Sequence, residues 1–169
     1  LGGMLVVAGQ VAALDAFEND LPALSRSPMR LAGHGPFHTP LMQASSDAAR
    51  ARFPVDWFGQ PQVPLIDGRG KVWRRFESNR QDLWDYTFAH QILQPYDFTV
   101  AMTVGIREFA PDRVVLLGPG ETLGGAIGQV LIARKWMDIA SRSMFTARQG
   151  EDPFLIGMGR PSQRSIVIP

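Results

Sequence analysis

The 169 residues contain no cysteine, which excludes disulfides, thiolate catalysis and cysteine-ligated zinc together. That absence leaves the redox setting open, and the cytoplasm is the expected location. Lysine is nearly missing as well: of 17 basic residues only Lys71 and Lys135 are lysines, a bias that reads as coding composition. An excess of either charge is also lacking. The net charge of +1 gives no overall pull toward nucleic acid or an anionic membrane, and neither is expected as a partner. No apolar run reaches the roughly 18 to 20 residues that span a bilayer, and no charged segment followed by an apolar one opens the chain. A soluble protein that is not secreted is therefore expected. Asp47, Asp56, Asp67, Asp82, Asp85 and Asp97 are dispersed and none is spaced with a histidine as metal ligands would be, so no metal or other cofactor is expected. The chain also has no Gly-x-Ser-x-Gly nucleophile turn.

What is present is a globular composition, 45% hydrophobic, in a length suited to one domain or most of one. There is no internal repeat and no low-complexity tract. Leu1-Gly2-Gly3-Met4-Leu5-Val6-Val7-Ala8-Gly9 opens the chain as a buried strand already under way, which suggests a piece of a longer protein.

The pattern then alternates. Met4 to Ala8 predicts a strand, Val11 to Leu21 a helix with Val11, Leu14, Phe17 and Leu21 on one face, Ser25-Arg26-Ser27-Pro28 a turn, and Met29 to Ala32 a second strand. These make a β-α-β unit. Thr39 can cap a helix with Pro40 in its first turn, fading near Arg52-Phe53-Pro54. Val63 to Ile66 reads as a strand end before the Asp67-Gly68-Arg69-Gly70 turn. Helices follow over Gln81 to Leu93, stopped by Pro95, and over Asp97 to Phe109. Arg113 to Leu117 is the clearest strand, central in a parallel sheet, and Thr122 to Trp136 a helix with small residues near its start. Arg164 to Ile168 reads as a late strand. Strands alternating with helices predict an α/β layered fold.

Of the three histidines, His38 sits between a predicted strand and a helix start, where open α/β sheets place their sites. From local pattern alone it is either such a site residue or a structural side chain bonded to nearby backbone. His34 and His90 read as structural or surface residues. Gly118-Pro119-Gly120-Glu121-Thr122-Leu123-Gly124-Gly125 follows a strand and opens a helix, as a dinucleotide loop would. Its spacing is Gly-x-Gly-x-x-x-Gly, however, and Pro119 removes an N–H where the pyrophosphate would want one, so a tight structural turn is the better reading.

Four blocks carry a resemblance. They are Leu5-Val6-Val7-Ala8-Gly9, then Gly35-Pro36-Phe37-His38-Thr39-Pro40-Leu41-Met42, then Gln91-Ile92-Leu93-Gln94-Pro95, then Leu116-Leu117-Gly118-Pro119-Gly120-Glu121-Thr122-Leu123. In order and spacing they resemble the C-terminal half of the malonyl-CoA:acyl carrier protein transacylase family, over about residues 4 to 136.

The resemblance implies a fold, an activity and a site. Residues 1–33 would be the second β-α-β half of a ferredoxin-like small subdomain, residues 34–136 the C-terminal part of an α/β-hydrolase-like acyltransferase core, and residues 137–169 an extension of unknown role. The activity implied is transfer of malonyl from coenzyme A to the pantetheine thiol of acyl carrier protein through a Ser-His dyad. His38 matches the catalytic histidine, a proton shuttle suited by its near-neutral imidazole. Gln91 matches the residue whose backbone carbonyl orients that histidine, so its side chain would be replaceable. Phe37 matches the position where an aromatic ring narrows the acyl pocket in favour of malonyl. The arginines at 26, 30, 50, 52, 74 and 75 read either as contacts for an acidic carrier protein and the coenzyme phosphates or as plain solvated surface. The family's serine elbow, oxyanion hole and malonyl-binding arginine have no counterpart here. The partners implied are malonyl-CoA, acyl carrier protein and a bound N-terminal part carrying the serine, and this chain alone should be inactive. The other function class is a noncatalytic α/β binding or scaffold module that keeps the fold.

Overall fold

A computed structural model describes all residues except 1, 23–27, 32, 119–120 and 169. The described residues form a mixed α/β structure, mostly helical, with four short strands in two two-stranded sheets. They divide into two compact units, one of Val6–Leu65 with Val72–Tyr96, the other of Leu1–Leu5, Ile66–Lys71 and Asp97–Pro169.

In the first unit α1 spans Val11–Asp20, within the range its apolar spacing predicts. Among the described residues the flanking strands of the predicted β-α-β unit are absent. Residues 4–8 and 28–31 carry no ladder, and Leu5 is 87% exposed. An apolar run becomes a strand only where a second strand pairs with it, and neither sheet of the described residues includes residues 4–8. Ala32 and Ser25 to Ser27 of the predicted strand and turn lie outside the described residues.

Helix α2 covers Gln43–Arg52, entered through a 3₁₀ turn at Pro40–Met42. Thr39 starts that turn by accepting the Leu41 N–H on its hydroxyl, while Pro40 occupies the first helical position, where its missing N–H costs nothing. Strands β1, Leu65–Ile66, and β2, Val72–Trp73, pair with each other. The predicted helix over Gln81 to Leu93 is present but not regular: α3, Arg80–Asp85, runs into a π turn, Tyr86–His90, and ends as α4, Gln91–Leu93. Packing ties α2 to this composite helix. The buried Ser46 hydroxyl donates to the Phe88 carbonyl, the Trp84 indole N–H donates to the Phe53 carbonyl at 2.6 Å, and the Phe53 and Phe88 rings stack 5.4 Å apart. On the outside, Arg50 lies 4.3 Å over the Trp84 ring and 2.8 Å from Asp85. The Gln81 amide and that guanidinium hold the Asp85 carboxyl below its ordinary range.

In the second unit α5 spans Phe98–Phe109, capped by Asp97, whose carboxylate accepts the Val100 N–H at 3.0 Å. Strand β3, Val114–Leu116, falls inside the predicted strand, and α6, Leu123–Ala133, inside the predicted helix. The partner of β3 comes from beyond residue 136: after α7, Arg142–Glu151, strand β4, Leu155–Gly157, pairs with it in parallel, Val114 opposite Leu155. The expected late strand at Arg164 to Ile168 is instead the short helix α8, Pro161–Arg164, and a turn. Pro161, with its fixed φ and no N–H, starts a helix readily and contributes no ladder bond there. Ile106, Ile127, Leu131, Trp136, Ile139 and Phe154 form the buried core of this unit, so residues 137–169 supply both a strand and core side chains.

The two edges of the β3–β4 sheet differ. The outer edge of β4 is occupied by side-chain amides: Gln149 accepts the Leu155 N–H at 3.1 Å and donates to the Leu155 carbonyl at 2.7 Å, and Gln163 accepts the Gly157 N–H at 2.7 Å. Val115, between the two β3 residues that bond β4, turns its backbone groups to the opposite edge.

The Asp67-Gly68-Arg69-Gly70 turn belongs to this unit. The buried Asp67 carboxylate accepts the N–H groups of Arg69 and Lys71 at 2.9 and 3.0 Å and pairs with the Arg69 guanidinium. Desolvation, the largest single influence, pushes its pKa up, but the combined hydrogen bonds from Arg69 and Lys71 hold it below the ordinary value. A carboxyl depressed in the fold stabilises the protein above its unfolded pKa, about 4, and loses that contribution as pH falls toward the lower folded value. The expected result is an acid-side loss of stability in urea titrations from about pH 4 downward, reduced in Asp67→Asn; identical pH profiles for both proteins would contradict it.

Candidate functional site

The segment before α2 brings His38 against the end of the composite helix. An α-helix leaves its last four carbonyls without intrahelical partners, and α4 ends at Leu93 ahead of Pro95, so the carbonyls of Gln91 and Ile92 are available. Both are taken by His38. Its backbone N–H donates to the Ile92 carbonyl at 2.8 Å, and its ring Nδ1 lies 2.6 Å from the Gln91 carbonyl oxygen. A carbonyl only accepts, so Nδ1 donates in this bond, and the neutral tautomer that fits it has Nε2 as its bare lone pair. Among the described residues Nε2 has no hydrogen-bond partner.

The backbone conformation at His38 is unusual. Its φ is 65°, in the left-handed region, which non-glycine residues rarely enter and histidine enters more than most. Such a residue costs on the order of 1–3 kcal/mol and persists only where its surroundings determine it. Here the N–H bond to Ile92 and the Thr39 hydroxyl, donating to the Pro36 carbonyl at 2.7 Å, fix the chain on both sides. The Tyr96 ring adds a wall, its centroid 5.5 Å from that of the imidazole and tilted by 39°. The π turn immediately before Gln91 is a distortion often found at functional sites.

Phe37 precedes His38 with its ring folded back over Gly35, 3.3 Å from where a side-chain carbon there would sit. It is 54% exposed. The other histidines lie apart from this arrangement: His90 stacks on Tyr86 at 5.5 Å and 25°, and His34 lies exposed before it. Arg30 is held by Asp15 and Glu18, and Arg50 by Asp85; Arg26 lies outside the described residues. No group of three potential metal ligands occurs among the described residues, and no described helix is long and apolar enough to cross a membrane.

Sequence reasoning picked out His38, Gln91 and Phe37. It did not pick out Ile92 or Tyr96, although both follow within five residues of Gln91. The signal available was the helix stop at Pro95, which leaves consecutive free carbonyls and aims the following residue back toward the helix end. In the other unit a concavity of about 570 Å³ lies among Gly124, Gly125, Gly128, Arg142, Phe145 and Arg160. Its Arg160 guanidinium is tied to Glu121 at 2.6 Å, which holds the Glu121 carboxyl below its ordinary range. The described part of the glycine-rich turn, Gly118 with φ 105° and Gly124 bonded to the Glu121 carbonyl at 2.9 Å, is the strand-to-helix connection of this unit; Pro119 and Gly120 lie outside the described residues.

No protein-family model, curated protein or solved structure matches this chain.

Proposed function

We propose that the chain is the histidine-bearing part of an acyltransferase that moves malonyl from coenzyme A to the pantetheine thiol of acyl carrier protein. The observation that carries this reading is the ring of His38, with Nδ1 2.6 Å from the Gln91 carbonyl and Nε2 left without a partner among the described residues. A carbonyl replaces the carboxylate of the Ser-His-Asp arrangement in choosing the tautomer.

The nucleophile is a serine on a segment outside these 169 residues. In the first half-reaction Nε2 takes the serine proton as the oxygen attacks the malonyl thioester. The carbon–sulfur bond breaks, and the coenzyme thiol leaves with the proton returned by the imidazolium. In the second half Nε2 takes the pantetheine thiol proton, the sulfur attacks the malonyl ester, and the serine oxygen leaves with the proton. No cofactor takes part. Phe37 narrows the acyl pocket, where rejecting one added methyl is worth about 1–3 kcal/mol. On this reading residues 34–136 belong to an α/β-hydrolase-like core and residues 1–33 to half of a ferredoxin-like subdomain.

The test is a malonyl-CoA transfer assay with purified acyl carrier protein. The chain alone should transfer nothing, and the chain produced together with the serine-bearing segment should transfer malonyl. Gln91→Ala, which keeps the backbone carbonyl, should leave that rate within a few-fold. An assembled protein that transfers no malonyl would refute the reading.

A further inference from the structure

One stretch of six residues contacts His38 in three ways. The Gln91 carbonyl takes the ring proton, the Ile92 carbonyl takes the backbone N–H, and the Tyr96 ring packs on the imidazole with centroids 5.5 Å apart. The first two are hydrogen bonds along single directions. A single bond to Nδ1 holds the ring at one point only, and rotation of the imidazole about its side-chain torsion both lengthens that bond and moves Nε2. An aromatic wall removes that freedom, because the imidazole can rotate only by losing its contact with the tyrosine ring. Tyr96 follows Pro95, whose fixed φ restricts the path from the helix end to the aromatic side chain.

We infer that Tyr96 is a positioning residue for His38: its ring locks the imidazole plane so that Nδ1 stays on the Gln91 carbonyl and Nε2 stays bare and directed away from the helix end. This deepens the acyl-transfer reading and rests on it for its purpose, though the lock itself is a property of the ring and is measurable without any reaction.

The experiment is long-range ¹H–¹⁵N correlation of the histidine rings in the labelled chain, with His38→Gln identifying the signals. Wild type should show a neutral His38 protonated at Nδ1. Tyr96→Phe, which keeps the aromatic wall, should give the same pattern. Tyr96→Leu, which keeps bulk without the flat face, should turn the Nδ1-protonated form from the majority into a minority. His90, stacked on Tyr86 in the same unit, is the internal reference and should be unchanged in every variant. An unaltered His38 pattern in Tyr96→Leu overturns the inference, and so does a pattern lost equally in Tyr96→Phe. A variant that disturbs His90 as much as His38 also overturns it, because Tyr96 would then be general packing. Failure of malonyl transfer by the assembled protein would sink the acyl-transfer reading while leaving the tautomer result intact, so the two failures are distinguishable.

Discussion

If the acyl-transfer proposal holds, His38→Ala in the assembled protein is expected to lower malonyl transfer at least a hundredfold, with little change in affinity for malonyl-CoA. A positioned general base contributes roughly 10² to 10⁴ in rate, and His38 would serve in both half-reactions, so neither acylation nor transfer to the carrier has a substitute. The imidazole is only half-buried and makes one side-chain hydrogen bond, to Gln91, and alanine keeps the backbone N–H that donates to Ile92. The variant should therefore fold, which separates lost chemistry from lost structure. Steady-state rates for both proteins, with circular dichroism to verify folding, decide the matter; transfer within tenfold of wild type would remove His38 from the mechanism.

Leu131→Ala should cost the largest share of stability, about 2–5 kcal/mol. Leu131 is 0% exposed and lies in the core cluster with Ile106, Ile127, Trp136, Ile139 and Phe154. Truncation removes the transfer energy of three carbons and leaves a cavity that these large rings and branched chains cannot collapse to fill. Domains are typically stable by about 5–15 kcal/mol, so the variant would lie near the limit of folding. The urea midpoint should fall sharply at nearly constant slope. Leu117→Ala is the matched control: Leu117 is 82% exposed, and the same chemical change should stay within about 0.5 kcal/mol. Equal losses at the two leucines would mean that the core is not where the structure puts it.

The helices up to α6 were legible because each carries its own instructions, whereas α7 was not read and the region of α8 was read as a strand. Thr39-Pro40 and Asp97 announce starts, Pro95 a stop, and α6 buries residues three and four apart, Ile127 with Val130 and Leu131. Strand β3 was legible for its β-branched run. Its partner was not, because Leu155-Ile156-Gly157 is too short to show a period and a parallel neighbour can come from anywhere along the chain. The segment from Met4 to Ala8 misled for the opposite reason: its composition suits a strand, but a ladder needs a second strand that composition cannot supply. The π turn at Tyr86–His90 also left no mark, since π and α turns draw on the same residues. At the site, His38 and Gln91 stand 53 residues apart, and no local pattern links them. Only the resemblance set them side by side, whereas Ile92 and Tyr96 entered with the geometry.

The glutamine amides along β4 have a consequence for how molecules of this protein meet. A strand edge with unpaired peptide groups invites a neighbour, and a sheet open on both sides can template neighbour after neighbour into a filament. With Gln149 and Gln163 holding the peptide groups of Leu155 and Gly157, the β4 edge offers those groups to no incoming strand. The stop is made of neutral groups, so unlike a charged edge residue it does not weaken with salt or with a change of pH.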